Sequence, residues 1–324
     1  MTVYPAPPKI PRYPLPPLPP PEVVNSMNHN EVCYDPDLWN LEYVPRRWLE
    51  RVGNAELVTR YRHMVRNMQT FVGPRCDAMP IWWHESSWYW LRRDYITRLE
   101  FAMRGLEPPV VPEVDVPHGS SPQIPHPNVL YRFGKREHML ELASGKVRFS
   151  PAKSYQDIEN DEARQDEETA KHAYSAGQHG RIILPDGQEA PIIGNLKTSV
   201  SGPGYHMACF AREWDAQFLQ AFGDTCVVVN DIDEFARRIG EAGKKVFPGW
   251  YWMDTNVEYF DPYERPPGFR LRTAISKDFL FAYQREYRFF WDQLDSGPID
   301  GVQYIDIGSC SDILSIHARD GNPL

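Results

Sequence analysis

Residues 282–291 read AYQREYRFFW, and this stretch decides how the carboxy-terminal part of the chain folds. Successive side chains of a β-strand point to opposite faces of a sheet. The alternation therefore predicts a strand near 285–291 with three aromatic rings on a buried face. On the opposite face it places three polar side chains: Gln284, Glu286 and Arg288.

A carboxylate and an amide that point into one cleft suit hydrogen bonding to a sugar and stabilisation of developing positive charge. The pattern also fits a second interpretation, in which the same face carries a structural pair of Glu286 and Arg288. The sequence leaves both interpretations open.

Two earlier segments also predict strands with polar side chains. The segment VLYRF at 129–133 carries Arg132, whose planar fork of donors can hold a phosphate. The alternative is a surface arginine beside a core tyrosine. The segment KVRFSP at 146–151 places Val147 and Phe149 on one face, and the polar loop that follows it could hold a ligand.

From about residue 128 the chain alternates short apolar strands with helices, which predicts an α+β fold with a mixed, mainly antiparallel domain. Helices are predicted at 135–144, 157–176 and 232–241. Further strands are predicted at 205–210 and 225–230 and near 250–260, 269–275, 302–307 and 312–317, and a hairpin at 181–193.

Upstream of this domain the composition changes. We predict a Pro-rich tail at 1–30, an Arg- and Trp-rich helical region at 31–106, a Pro-rich linker at 107–127 and the mixed domain at 128–324. Within the helical region, helices are predicted at 36–72 and 82–105. In the tail, Pro16 and Pro19 form a P-x-x-P motif, which is typical either of a segment that binds a protein partner or of a stiff linker.

The chain has 324 residues and a net charge of −9, which disfavours general electrostatic attraction to nucleic acid. However, residues 45–104 hold eleven Arg and no Lys against six acids. The aromatic run at 82–90 beside these arginines could stack on nucleic-acid bases or could be a packed helix pair. A nucleic-acid partner therefore stays an open alternative.

The five cysteines are widely spaced and form no C-x-x-C, so we expect neither a disulfide framework nor a metal site. The acidic run at 157–168 is more typical of a solvated helix face than of a cation site. No stretch approaches the roughly 18 apolar residues of a membrane span, so we expect no membrane association and a cytoplasmic location. Export by a route without a cleavable signal stays an alternative.

Taken as a set, several motifs resemble a bacterial group, the domain-of-unknown-function family 2971. The motifs are LYRF at 130–133, GKVRFSP at 145–151, YQD at 155–157, CFA at 209–211 and QREYR at 284–288. The resemblance covers about residues 128–318. The chain departs from the family's usual Asn, Ser and Glu at three positions: Gln156, Ala211 and Gln284.

The same segments are more weakly similar to ADP-ribosyltransferases, including the kind that modifies DNA. In that group a first strand bears His or Arg, a helix ending at Gly follows, and a late strand carries Gln-x-Glu or Glu-x-Glu. The resemblance implies a split-sheet fold, NAD as substrate and a macromolecular acceptor. It also implies the role of a bacterial toxin, an injected effector or a phage-defence component.

Residue by residue, the resemblance implies that Glu286 stabilises the ribosyl cation, Gln284 orients the acceptor and Arg132 holds NAD. It further implies that Ser150 supports the nicotinamide ribose, with Ser199 and Ser201 as competitors for that role. The remaining implied contact is a ring that stacks on the cofactor, either Tyr131 or Tyr155.

Two other functions compete with this one. The first is a non-enzymatic module that binds a protein or a nucleic acid, as the Pro-rich tail and the Arg/Trp-rich region indicate. The second is a metal-dependent nuclease, which would use four acids: Asp157, Glu159, Asp161 and Glu286.

Overall fold

The computed structural model describes residues 36–71, 87–111, 120–124, 128–155, 168–176, 181–192, 195–202, 204–264, 269–293 and 300–324. These residues form helices and a mainly antiparallel sheet, so the predicted α+β class is confirmed. The helices are α1 (Pro36–Tyr43), α2 (Asn54–Phe71), α3 (Ser87–Met103), α4 (Arg136–Ala143), α5 (Ala216–Ala221) and α6 (Ile232–Gly243). Among the helices in the described part of the chain, none is long and apolar enough to cross a membrane.

Fourteen strands are described. They are β1 (Leu130–Gly134), β2 (Lys146–Pro151), β3 (Ala170–Ala176), β4 (Arg181–Ile183), β5 (Glu189–Pro191), β6 (Asn195–Ser201), β7 (His206–Ala211), β8 (Thr225–Val229), β9 (Tyr251–Asn256), β10 (Glu258–Phe260), β11 (Ser276–Asp278), β12 (Glu286–Asp292), β13 (Gln303–Asp306) and β14 (Leu314–Ala318).

The chain divides into two compact units, and the first boundary follows Glu113, inside the predicted linker. The helical unit contains α1, α2 and α3. It also takes in two later segments, 173–198 and 261–266, which the sequence did not assign to it. The sheet unit contains the remainder, and the division falls within β3 and β6.

Within the helical unit, many of the arginines make internal ion pairs. Arg60 donates through both terminal nitrogens to Asp261, at 2.8 and 2.6 Å, and Arg93 adds a third bond at 2.9 Å. These three side chains are buried. Arg104 binds Glu100 at 2.7 Å and three backbone carbonyls besides. The donors of these three guanidinium groups are used within the helical unit.

The sheet unit is built around β7. One edge of β7 pairs with β12 along its whole length, and β9 pairs with the far side of β12. The other edge of β7 is shared, since β2 pairs at its start and β1 at its end. From there β8 and β14 extend the sheet beyond β1, and β13 extends it beyond β2. The sheet is therefore split into two branches on one side of β7.

One face of this sheet carries the main apolar core. Phe210, Phe289 and Trp291 alternate onto it and are covered by helices α4 and α6. Helix α6 forms here because Asp231 caps its first turn, accepting a bond of 3.0 Å from the Glu234 amide, and because its apolar residues form one stripe. The opposite face carries two smaller apolar clusters. Between them lie Glu286 and Arg288.

Several sequence predictions need correction. Residues 170–176 form a strand where a charged helix was predicted, and the remainder of that predicted helix at 157–167 lies outside the described residues. The predicted helix at 36–72 is two helices separated by turns. The strand predicted near 269–275 is irregular backbone, and β11 begins only at Ser276. The Pro-rich tail and most of the aromatic run at 82–90 lie outside the described residues.

We predict that Gly145→Ala lowers the free energy of unfolding by about 1–3 kcal/mol. Gly145 ends α4 with a φ of +99°, and an added Cβ would overlap the carbonyl group of Gly308. Gly204→Ala is the matched control, since nothing lies within 4 Å of a Cβ at that position. Denaturant unfolding of both variants tests the prediction, and equal stabilities would contradict it.

Candidate functional site

The polar face of β12 begins with an interruption of the strand. Gln284 ends a 3₁₀ turn at Phe279–Gln284, and Arg285 has a left-handed backbone with φ of 44°. The prediction that Gln284 lies on the strand with Glu286 is therefore wrong. Lys277 nevertheless brings the two side chains together, because its Nζ donates to Gln284 Oε1 at 3.0 Å and to Glu286 Oε2 at 2.8 Å.

Arg288 lies at the centre of a buried ion cluster, which we define as Glu168, Lys171, Lys277, Glu286 and Arg288. Its Nε donates to Glu286 Oε1 at 2.6 Å, and its two terminal nitrogens donate to both oxygens of Glu168 at 2.9 and 2.6 Å. All five side chains are buried, and Arg288 is 0% exposed. Both oxygens of Glu286 are thus held by cations.

The ion cluster keeps its acids charged. Burial alone would raise the pKa of Glu286, but the charges of Arg288 and Lys277 outweigh burial and hold the pKa at about 2. For Glu168, burial is likewise outweighed, chiefly by Arg288, and its pKa lies well below the usual range. Burial raises the pKa of the neighbouring Cys209 thiol, and the charge of Glu286 raises it further, so this thiol stays protonated.

Arg132 and Glu286 lie on opposite faces of the sheet. Arg132 is aligned with Val227, which belongs to the main apolar core, whereas Glu286 is aligned with Ala211 on the other face. The guanidinium of Arg132 lies over the Phe210 ring, 5.6 Å from its centroid, and donates to the backbone carbonyl of Cys209. The side chain of Arg132 thus starts from the face opposite to Glu286, but its positive charge lowers the pKa of Tyr155 and Cys209, which the charge of Glu286 raises, so the guanidinium is within electrostatic range of the groups around Glu286.

The other residues predicted to contact NAD are two tyrosines and a serine, and two further serines compete for the role of the last. Ser150 is aligned with Met207 and so shares the face of Glu286. Tyr155 is half-buried and packs beside the same Met207, and burial together with the nearby Cys209 raises its pKa. Tyr131 is also on this face, because it is aligned with Ala211 as Glu286 is, and it packs against the apolar cluster of Phe133 and Phe218. Of the two competing serines, Ser199 bonds the ring of His172 at 2.9 Å, and Ser201 lies in β6.

Acidic residues proposed for a metal fall largely outside the described part of the chain. Asp157, Glu159 and Asp161 are all in the segment that the structure does not describe. Among the described residues, no group of three or more His, Cys, Asp and Glu side chains converges as metal ligands would.

A second feature, which we call the aromatic groove, lies between α6 and β9. It is an open hollow of about 620 Å³. Trp250 and Trp252 line it. Tyr251, which is 55% exposed, borders it with its ring on the opposite face of β9, because Tyr251 is aligned with Asp292 and Trp252 with Trp291. The indole of Trp252 packs on Trp291 with ring centroids 5.0 Å apart. Gly240 of α6 leaves space for this indole, since an added Cβ would approach Trp252 Nε1 to 3.0 Å.

The aromatic groove also carries acidic side chains. Tyr287 donates its hydroxyl to Asp254 Oδ2 at 2.5 Å. Burial raises the pKa of Tyr287, and Asp254 and, less strongly, Asp233 raise it further. Both acids line the groove. Neither acid has an ion pair with a described residue. In contrast, Arg237 at the same groove is paired with Glu234 and Glu241.

The aromatic groove was not predicted from the sequence, although a strand near 250–260 was. The signal was the run WYW at 250–252. Because neighbouring residues of a strand point in opposite directions, three consecutive rings cannot all enter one core. Of the partners of Arg288, Glu286 was predicted in the second interpretation of the β12 sequence, and the structure confirms that pair. Glu168 was missed, because it lay in a run interpreted as a solvated helix face.

Comparisons of the chain with protein-family models, with curated proteins and with solved structures give no match. The resemblance to family 2971 and to ADP-ribosyltransferases therefore rests on the sequence motifs, and it stays a prediction.

We predict that the protein loses stability as the pH falls from about 4.5 to about 2. The pKa of Glu286 is about 2 in the folded chain against an ordinary 4.5, so the unfolded chain takes up the proton first. Stability is then fully present above 4.5 and is lost as the pH falls through the folded value. Unfolding by urea across this range measures the effect.

The matched variants are Glu286→Gln and Glu137→Gln, the second of which changes an exposed acid of α4. At pH 7 the first should cost about 3–5 kcal/mol, because it leaves buried cations without their partner. Glu286→Gln should also flatten the acid dependence, whereas Glu137→Gln should change neither quantity. Identical acid profiles for both variants would contradict the role given to the ion cluster.

Proposed function

We propose that this protein is a peptide-binding module and that the aromatic groove is its binding surface. The observation that carries the proposal is an open hollow beside a helix, lined by Trp250 and Trp252 and bordered by the exposed Tyr251 of an edge strand. Exposed tryptophan and tyrosine rings are the residues that contribute most to binding energy at protein interfaces.

The position of the groove in the sheet supports the proposal. β9 pairs with β12 on one edge, and no second strand pairs with it among the described residues. An edge strand offers backbone donors and acceptors to an extended chain, while neighbouring rings give side-chain selectivity. Asp233, Asp254 and Lys244 line the groove without an ion pair to a described residue, so the groove offers charges of both signs to the polar groups of a ligand.

The surroundings of Glu286 also favour a binding function over catalysis. A carboxylate that stabilises a ribosyl cation must present an oxygen to the ribose. Both oxygens of Glu286 are held by Lys277 and Arg288 at 2.8 and 2.6 Å. Arg132, the residue expected to hold NAD, lies on the other face of the sheet. An NAD site here would require the ion cluster to rearrange.

A second candidate function is ADP-ribosyl transfer or NAD cleavage. One observation supports it, namely the set of polar side chains around Glu286. Gln284 and Glu286 share the ammonium group of Lys277, and Ser150 and Tyr155 lie on the same face of the sheet. Glu286 stays ionised at neutral pH, as a group that stabilises positive charge must be. For this candidate, a macromolecule would be the acceptor.

The peptide-binding proposal predicts that Tyr251→Ala weakens peptide binding by about tenfold or more, since it removes an exposed ring that an extended peptide on the edge strand β9 would contact. Twelve-residue random peptides displayed on phage would be selected on the full chain, and their affinities measured on each variant. Tyr304→Ala is the matched control, because Tyr304 is 44% exposed on β13, away from the groove.

The expected result is that the selected peptides keep their affinity for Tyr304→Ala and lose it for Tyr251→Ala. Equal affinities for both variants would place binding elsewhere, and failure to select any peptide would remove the proposal.

The NAD candidate predicts that NAD raises the melting temperature and is consumed, and that Glu286→Gln lowers turnover by about a hundredfold or more. Glu168→Gln is the control, because it disturbs the same ion cluster without removing the proposed catalytic carboxylate. A loss confined to Glu286→Gln supports catalysis. Equal losses indicate a structural role, and no turnover by the unmodified chain ends this candidate.

A further inference from the structure

The outer edge of β9 carries backbone groups that have no partner among the described residues. Val257 donates its backbone N–H to the carbonyl of Glu286 at 2.9 Å, so the backbone of Val257 faces β12. The backbone groups of successive residues in a strand point to alternate edges. Trp252 and Asp254 therefore point their N–H and C=O groups away from β12, at the rim of the aromatic groove.

One flank of α6 faces the same groove and carries charges of both signs. Asp233, Arg237 and Lys244 line the groove at helical spacing. Arg237 is already paired with Glu234 and Glu241 of its own helix. Asp233 at the start of α6 and Lys244 just after its end have no ion pair with a described residue. An unpaired acid and an unpaired base are thus about 16 Å apart along one flank.

This charge pattern is complementary to itself when two copies of α6 lie antiparallel. A two-fold axis perpendicular to the sheet places Lys244 of each copy beside Asp233 of the other, and it also makes the two β9 strands antiparallel. A ligand with charge of only one sign would meet a like charge at one end of the flank. A second copy of the chain matches both ends.

We propose that the groove and edge strand of one copy bind the same surface of a second copy, in a two-fold dimer whose β9 strands pair and continue one sheet through both copies. The inference rests on the proposed function, because it names the extended segment that the edge strand receives. That segment is β9 of another copy. Pairing of this kind also satisfies the backbone groups that an exposed sheet edge leaves open.

The charges and the length of β9 select the register of this pair. An axis through Asp254 would set two aspartates opposite each other, which is unfavourable. An axis through Trp252 would set Asp254 opposite Trp250, which lies outside the strand. An axis through Met253 pairs Trp252 of each copy with Asp254 of the other, and all four backbones then point toward the opposite copy.

The packing of α6 allows the two helices to meet as well. Gly240 packs against Trp252 of β9 and Gly243 against Trp291 of β12, so α6 crosses above these two strands. Neighbouring strands are about 4.8 Å apart, which sets the two β12 strands about 14 Å apart in the dimer. The facing flanks of the helices are then within reach of a long lysine side chain.

A cysteine on the axis tests the register. Met253 would lie opposite Met253 of the second copy, at a spacing that suits a disulfide, so Met253→Cys should form a covalent dimer of the full chain under mild oxidation. Tyr251→Cys is the matched control. In this register Tyr251 lies opposite Thr255, and the two copies of Tyr251 are about 13 Å apart.

The unmodified chain gives the background from its native cysteines. A covalent dimer confined to Met253→Cys supports the inference. Equal yields for the two variants, or no covalent dimer above background, contradict it.

Charge reversal tests the contact between the helices. Sedimentation equilibrium of the full chain over a wide range of concentrations should show a reversible dimer. Asp233→Lys and Lys244→Asp should each weaken it by about tenfold or more, and the two changes in one chain should restore it, because the pair re-forms with its signs exchanged. Lys245→Asp is the control, since Lys245 is exposed and does not line the groove. A thermal melt of each variant separates lost association from lost folding.

The outcomes separate this inference from the proposed function. Phage-selected peptides that bind in a Tyr251-dependent way should dissociate the dimer, since both use the edge of β9. If such peptides bind while the chain is monomeric at every concentration, the groove is a peptide site and the inference fails. If no peptide is selected and the chain is monomeric, both proposals fail. A dimer that the single charge reversals leave unchanged also overturns the inference.

Discussion

The burial of Arg288 is the constraint on which the sheet unit depends. A guanidinium that is removed from water is tolerated only when its donors are fully paired. Arg288 meets this condition with Glu168, Glu286 and the Ala274 carbonyl. Those partners come from three separate parts of the chain. The pairing of Arg288 therefore fixes the position of each of these parts on the polar face of β12.

The same constraint limits the chemistry of Glu286. The cations that keep its carboxylate ionised in the interior also occupy its oxygens. The carboxylate of Glu286 therefore cannot be both stabilised as an anion and open to a substrate. Removing Lys277 would free one oxygen, but it would also weaken the stabilisation of the negative charge. A catalytic acid is usually buried with a surface left open to its substrate, and such a surface is better developed at the aromatic groove.

The sequence predicted those parts of the fold that follow from local periodicity. The alternation in β2 and the apolar stripe of α6 are visible in the residues themselves, and both are present in the structure. Gln284 was misplaced because one left-handed residue, Arg285, breaks the alternation, and a non-glycine residue gives little warning of that conformation. The pairing of Arg60 with Asp261 was not predictable, since 201 residues separate them and no local pattern connects them.

The two candidate functions use residues on opposite faces of β12. Glu286 and Arg288 point to the polar face, whereas Trp291 points to the face that lines the aromatic groove. The ion cluster is buried and its two acids are both paired with cations, so a change there lowers stability first. The groove is open, and its rings and acids include exposed groups whose removal need not disturb the core. Packing of the core explains the buried rings of Trp252 and Trp291, but it does not require the exposed ring of Tyr251 at the edge of the sheet. The binding proposal therefore rests on the groove and its edge strand, and the catalytic candidate rests on the ion cluster.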